Sequence, residues 1–153
     1  MARRVAFKKR TSTSLIVVHC AATRPTMDIG VREIRQWHVQ QGWLDVGYHF
    51  VIRRDGTIEE GRPHDVVGSH VKSRNADSVG ICLVGGIDAK GKPEDNFTDH
   101  QKAALQALLW RMVSGKDFEG SYQDLQVVGH RDLDGGKACP SFDAKAWWKA
   151  RKD

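Results

Sequence analysis

The stretch Leu15-Ile16-Val17-Val18-His19-Cys20 runs through four apolar residues, three of them β-branched, before reaching two side chains able to bind a metal. It shows no alternation of apolar and polar positions. A run of this kind is a strand buried on both faces, as found inside a parallel sheet. The small residues Ala21 and Ala22 end it. Such a strand needs neighbours on both edges and cover on both faces, so the rest of the chain must supply further strands and helices.

Ser78 to Val84 reads as a second buried strand, closed by Gly85-Gly86, and Leu125 to Val128 as a third. Tyr48 to Arg53 and Thr57 to Glu60 flank Asp55-Gly56, the pattern of a hairpin. Val31, Ile34, Trp37 and His38 recur at three- and four-residue steps, which predicts a helix from about Val31 to Gln41 with Gly42 just past its end. Thr98-x-x-Gln101 is a capping box. It opens a helix whose stripe is Ala104, Leu105, Leu108, Leu109 and Met112, with Gly115 as its stop. A short helix carrying Trp147 and Trp148 closes the chain. The expected fold is α/β, a single domain with a mixed central β-sheet flanked by helices.

Composition agrees. A chain of 153 residues, 40% apolar and 28% charged, fits one globular domain with its own core. No apolar run approaches the roughly 20 residues of a membrane span. Three cysteines do not make a disulfide framework and fit a reducing compartment or a metal site. The net charge of +5 equals the charge of the first ten residues, where Arg3, Arg4, Lys8, Lys9 and Arg10 meet no acid. The remainder is balanced, which argues against a nucleic-acid-binding surface. Residues 1–12 are read as a basic N-terminal arm on a domain at 13–150. The arm is either an aid toward anionic surfaces or an ordinary solvated terminus. No apolar segment follows it, so no secretory signal is expected.

Three candidates for chemistry stand at strand ends or in loops. His19 ends the first strand, His130 ends the last, and Cys139 lies in the Gly-rich stretch Gly135–Pro140. Two imidazoles and a thiolate form the ligand set of a catalytic zinc that keeps its fourth position for water. The residues alone leave another reading open, a core His, a loop His and a buried free Cys, because no short metal motif such as HExxH is present. Cys20 follows His19 on a strand and therefore faces the opposite way, into the core. Cys82 reads as a small buried hydrophobe. Lys137 could hold an oxyanion or be a solvated loop lysine. Tyr48 could donate its phenol to the same oxygen or be a half-buried strand aromatic. Strand alternation puts Tyr48 and Phe50 on one face and His49 on the other. His70 could line a cleft or lie on the surface, and His38 packs or caps its helix. His64 and His100 carry no spacing argument. Trp37, Trp43, Trp147 and Trp148 could stack on sugars, but at helical positions such residues are more often core.

Eight ordered segments together carry a resemblance. They are VHCAAT (Val18–Thr23), VREIRQWH (Val31–His38), GWLDVGYHF (Gly42–Phe50), RDGT (Arg54–Thr57), GSH (Gly68–His70), GICLVGG (Gly80–Gly86), GHRD (Gly129–Asp132) and KACPSFD (Lys137–Asp143). The chain resembles the zinc-dependent N-acetylmuramoyl-L-alanine amidases, a superfamily shared with the animal peptidoglycan recognition proteins. Within it the segments are most like the small endolysins of the T-odd coliphages. The resemblance runs from about residue 5 to residue 149.

It implies one Zn2+ ion held by His19, His130 and Cys139, with Tyr48 and Lys137 needed for amide hydrolysis and His70 lining the cleft. The implied substrate bond joins the lactyl group of N-acetylmuramic acid to L-alanine in peptidoglycan. The plain expectation is a monomer, and without a signal peptide it would wait in the cytoplasm of the infected bacterium and act on the periplasmic wall after release. Superfamily members that only bind peptidoglycan typically lack the Cys ligand, so Cys139 favours an enzyme over a binding module. The phage branch also implies a second partner, the phage's own single-subunit RNA polymerase, restrained by binding. A glycosidase would need a pair of carboxylates in a cleft, and no motif here offers one.

Overall fold

β1 (Leu15–Cys20) is buried along its whole length, as its lack of alternation requires. The computed structural model describes residues 7–114 and 125–152. β1 pairs in parallel with β4 (Ser78–Leu83) on one edge and with β5 (Gln126–Gly129) on the other. Among the described residues the sheet has five strands in the order β3-β2-β4-β1-β5. β2 (Phe50–Ile52) runs parallel to β4, and β3 (Ile58–Glu60) returns antiparallel to β2. The hairpin turn expected at Asp55-Gly56 is formed, with Gly56 at φ +91°, a left-handed conformation that glycine adopts without a Cβ penalty.

The two faces of β1 feed different cores. Ile16 and Val18 pack with Phe50, Ile52, Val79 and Ile81 beneath α2 (Asp99–Ser114) and α4 (Ala144–Lys152). The predicted α2 stripe is in place, with Leu105, Leu108, Leu109 and Met112 buried there. Each such side chain contributes roughly 1.5–3 kcal/mol by leaving water. On the other face, α1 (Val31–Gln40) lays Val31 and Ile34 against Val46, Val51, Cys82 and Val84. Leu15 and Val17 pack there with Val71 and Val128.

The capping box at α2 is reciprocal: the Thr98 N–H donates to Gln101 Oε1 at 3.0 Å and the Gln101 N–H to Thr98 Oγ1 at 3.1 Å. Gln101 is fully buried, and its Nε2 donates to Ile52 O at 3.1 Å and Val84 O at 2.8 Å. The glutamine of the capping box thus also ties the ends of β2 and β4 together. The stop expected at Gly115 lies outside the described residues.

The end of the basic N-terminal segment is stitched to the body. Val67 N–H donates to Lys8 O at 2.7 Å and Arg10 N–H to Asp65 O at 2.8 Å, while Lys9 forms a bridge with Val66. The Arg10 guanidinium turns inward, donating to Val66 O at 2.8 Å and Thr13 Oγ1 at 2.7 Å. One of the five charges counted into the arm therefore belongs to the packed domain.

Beside Arg10 lies His49, fully buried. The Gly80 N–H donates to its Nδ1 at 3.0 Å, so Nε2 carries the proton and donates to Val66 O at 2.7 Å. Burial, then the Arg10 and Arg62 charges, outweigh the Val66 carbonyl and lower this imidazole from 6.5 to about 4. Above pH 6.5 the ring is neutral in both the folded and the unfolded chain. As pH falls from 6.5 toward 4 the unfolded chain takes up a proton that the folded chain refuses, so stability is lost across that window. The loss expected from this one group is about 3 kcal/mol. Urea midpoints measured from pH 7 downward should show it, and a His49→Gln variant should give a flatter profile.

Candidate metal centre

The parallel register of β1 and β5 sets Val18 opposite Gly129. The next residue along the chain from each is a histidine, His19 and His130, and their ring centroids lie 4.6 Å apart. His130 is the first residue of α3 (His130–Leu133) and not, as the sequence reading has it, the last of a strand. The chain turns into a helix as soon as it leaves the sheet. Cys139 returns to the same point from the following loop. Arg131 N–H donates to Cys139 O at 2.8 Å, and Pro140, after a cis bond, rests on Gly129, where any side chain would strike the ring. The Cys20 N–H donates to Cys139 Sγ at 3.0 Å. These constraints bring the ligand atoms of His19, His130 and Cys139 within 4.8 Å of one another, a group able to hold a metal ion.

The local chemistry suits that use. Burial, followed by the neighbouring His70 and His130, holds His19 well below 6.5. Burial and Lys137 lower His130 against the opposing pull of Asp134. Both rings are neutral near pH 7 and present lone pairs. The Cys20 and Cys139 thiols interact, so the pair ionises in two steps. The hydrogen bond between them eases the first ionisation of the pair, and burial with the first charge opposes the second. The donated Cys20 N–H favours negative charge on the Cys139 sulfur.

Cys20 is buried, as expected from strand alternation. Its thiol lies over Gly86 and 3.9 Å from Ser141 Oγ, behind the cluster that holds Cys139. Cys82 is a buried hydrophobe, in the α1-side core.

Tyr48 stands 5.1 Å from the His19 ring, centroid to centroid. It packs with Val46, Val51 and Cys82, whereas Phe50 enters the α2-side core. Tyr48 and Phe50 therefore do not share a face. The regular strand begins only at Phe50, so the two-residue alternation does not reach back to Tyr48. Burial, then the Cys82 and Cys139 sulfurs, raise its phenol well above 10, which leaves Tyr48 a hydrogen-bond donor. His38 packs, as expected, with its ring 4.4 Å from that of Trp43, and its Nδ1 accepts the Gly47 N–H at 2.8 Å. It thereby fixes the loop that carries Tyr48.

A cleft of about 450 Å³ opens beside the cluster and reaches it at His130; Trp43, His70, Lys72, Asp134 and Lys137 also line it. Lys137 is exposed at its edge. His70 lies deeper, 8% exposed, with Nδ1 at 2.8 Å from His19 Nε2 and Nε2 at 3.2 Å from Ser78 Oγ. Sequence reasoning singled out neither Ser78 nor Asn75, whose Oδ1 accepts the His70 and Val71 N–H groups at 2.9 Å. Single polar residues in a strand and a turn carry no spacing signal. The tryptophans divide. Trp148 is buried and Trp147 packs beside it, as expected of core residues, while Trp37 and Trp43 are more than a third exposed. His64 and His100 stay outside the metal-binding group.

Residues 9–142 match the family described as N-acetylmuramoyl-L-alanine amidase. The chain belongs to that family. This amidase is 60% identical over 146 residues to the endolysin of Klebsiella phage KP32, covering 95% of the chain and 92% of the relative. It is 53% identical, with the same coverage, to the endolysin of Escherichia phage T7. Its structure is similar to that of the N-acetylmuramoyl-L-alanine amidase LysC from Clostridium intestinale, with a TM-score of 0.76 at 29% identity over 97% of this chain and 94% of the other. The single-domain α/β fold expected from the sequence is the fold of this family. No helix among the described residues is long and apolar enough to cross a membrane.

Cys139→Ser removes the one sulfur in the ligand group. Elemental analysis of the purified variant should show loss of stoichiometric divalent metal, while Cys20→Ala should retain it.

Proposed function

We propose that the chain is a zinc-dependent endolysin that hydrolyses the amide between the lactyl group of N-acetylmuramic acid and L-alanine of the stem peptide. The observation that carries this reading is the convergence of His19, His130 and Cys139 beside an open cleft that His130 lines, in a member of the amidase family. Two neutral imidazoles and one thiolate suit zinc, and three protein ligands are the number typical of its catalytic sites. When bound, zinc supplies Lewis acidity for the scissile carbonyl and acidifies water toward a pKa of about 7.

The chain's own residues do the rest. The open cleft admits an extended glycopeptide, and Trp43 and Lys72 on its wall are positioned to meet it. As the carbonyl becomes tetrahedral, its oxygen gains negative charge. Lys137, at the cleft edge beside His130, stabilises that charge through its ammonium group. Tyr48 retains its proton and donates a hydrogen bond to the same oxygen. His70 forms part of the cleft floor next to His19. The basic N-terminal segment adds positive charge that favours approach to anionic wall polymers.

Digestion of purified peptidoglycan tests the bond cleaved. New free amino groups on L-alanine are expected, and new reducing sugar ends would overturn the reading. Lys137→Ala should keep its metal yet lose turnover by roughly 100-fold or more, the scale of removing one oxyanion donor. Turnover and metal content measured on the same preparation would check this.

A further inference from the structure

We propose that His70 and Ser78 are positioning residues that dictate which nitrogen of His19 is offered to the metal. The inference rests on the reading of His19 as a ligand. Its observation is a continuous buried hydrogen-bond chain with a fixed direction. Ser78 Oγ donates its proton to Arg74 O at 2.6 Å, and a carbonyl can only accept. The Ser78 lone pairs are then left for His70, whose Nε2 lies 3.2 Å away and must carry the proton to bond there. A neutral imidazole with its proton on Nε2 has a bare Nδ1. That atom lies 2.8 Å from His19 Nε2, which in turn must be the protonated nitrogen. His19 is left with Nδ1 as its only nitrogen carrying a free lone pair, the one available to a metal shared with His130 and Cys139.

The surroundings hold this arrangement rigid. Ser78 is fully buried and His70 nearly so. The His70 ring sits in a slot between two glycines: a Cβ on Gly80 would lie 2.6 Å from its Cγ, and one on Gly68 would lie 2.7 Å from its Cδ2. Asn75 Oδ1 grips the backbone on both sides through the His70 and Val71 N–H groups. Both ring nitrogens of His70 are engaged, so neither is free to bind substrate, and its influence passes through His19. Ligating histidines elsewhere are oriented the same way, by a partner on the second ring nitrogen, and loss of that partner weakens metal binding roughly 10–100-fold.

The experiment has two arms. In the first, protein labelled with 15N at histidine is examined by long-range 1H–15N correlation at neutral pH, without and with zinc. His19 and His70 are both expected as Nε2–H tautomers, and an Nδ1–H tautomer at His70 overturns the proposal. In the second, zinc affinity is measured by competition with a chromogenic chelator, and cobalt absorption reports ligand geometry. His70→Ala is expected to weaken zinc roughly 10–100-fold and to shift the cobalt bands. His70→Gln, which keeps an acceptor and a donor, should recover most of both. Wild-type affinity in a folded His70→Ala protein overturns the relay. If His70→Ala fails to fold, the tautomers of the wild-type protein decide. Failure of the wild-type protein to bind zinc would instead overturn the metal reading itself.

Discussion

The register between three parallel strands governs the rest of the molecule. β1 is held on one edge by β4 and on the other by β5, with no freedom to slide once both faces are packed. A slip of one residue would turn every side chain to the opposite face. His19 would then point toward α2, and the pairing of Val18 with Gly129 that aligns the two histidines would be lost. The cluster forms at the carboxyl ends of β1 and β5, where parallel strands hand over to loops and helices. Ligand sites of open α/β sheets collect at such ends.

Burial then sets the chemistry. His19, His49 and His70 are almost wholly enclosed, and His130 is half enclosed. Each imidazole disfavours charge on its neighbours, so the group stays neutral and acts through lone pairs and N–H donors. His49 directs its hydrogen bonds to the main chain at Gly80 and Val66 and serves the fold. His19 and His130 direct a nitrogen toward Cys139. Similar side chains a few ångströms apart thus serve different ends, according to what their second nitrogen meets.

Much of this was legible in the residues. The unbroken apolar runs at Leu15–Val18 and Ser78–Val84, the Asp55-Gly56 turn and the capping box at Thr98 are local signals, and each formed as read. The group of His19, His130 and Cys139 was visible only as three reactive residues at element ends. The ordered motifs, not their spacing, singled them out. Other features were hidden because they are tertiary. Tyr48 escapes strand alternation because pairing starts two residues later. Arg10 looked like part of a solvated run but finds a carbonyl at Val66. Cys20 obeys strand geometry yet meets Ser141 and Gly86, contributed from distant parts of the chain.

Gly80 shows how far such a demand reaches. A glycine in a central strand forgoes side-chain packing and costs conformational entropy on folding. Replacing it with alanine or valine is an ordinary move in raising the heat resistance of a protein. Here the space above its Cα is filled by the His70 imidazole. A stabilised version of this lytic protein for use at elevated temperature would have to take its gains from α2, α4 and the exposed loops, and leave the middle of β4 as it is.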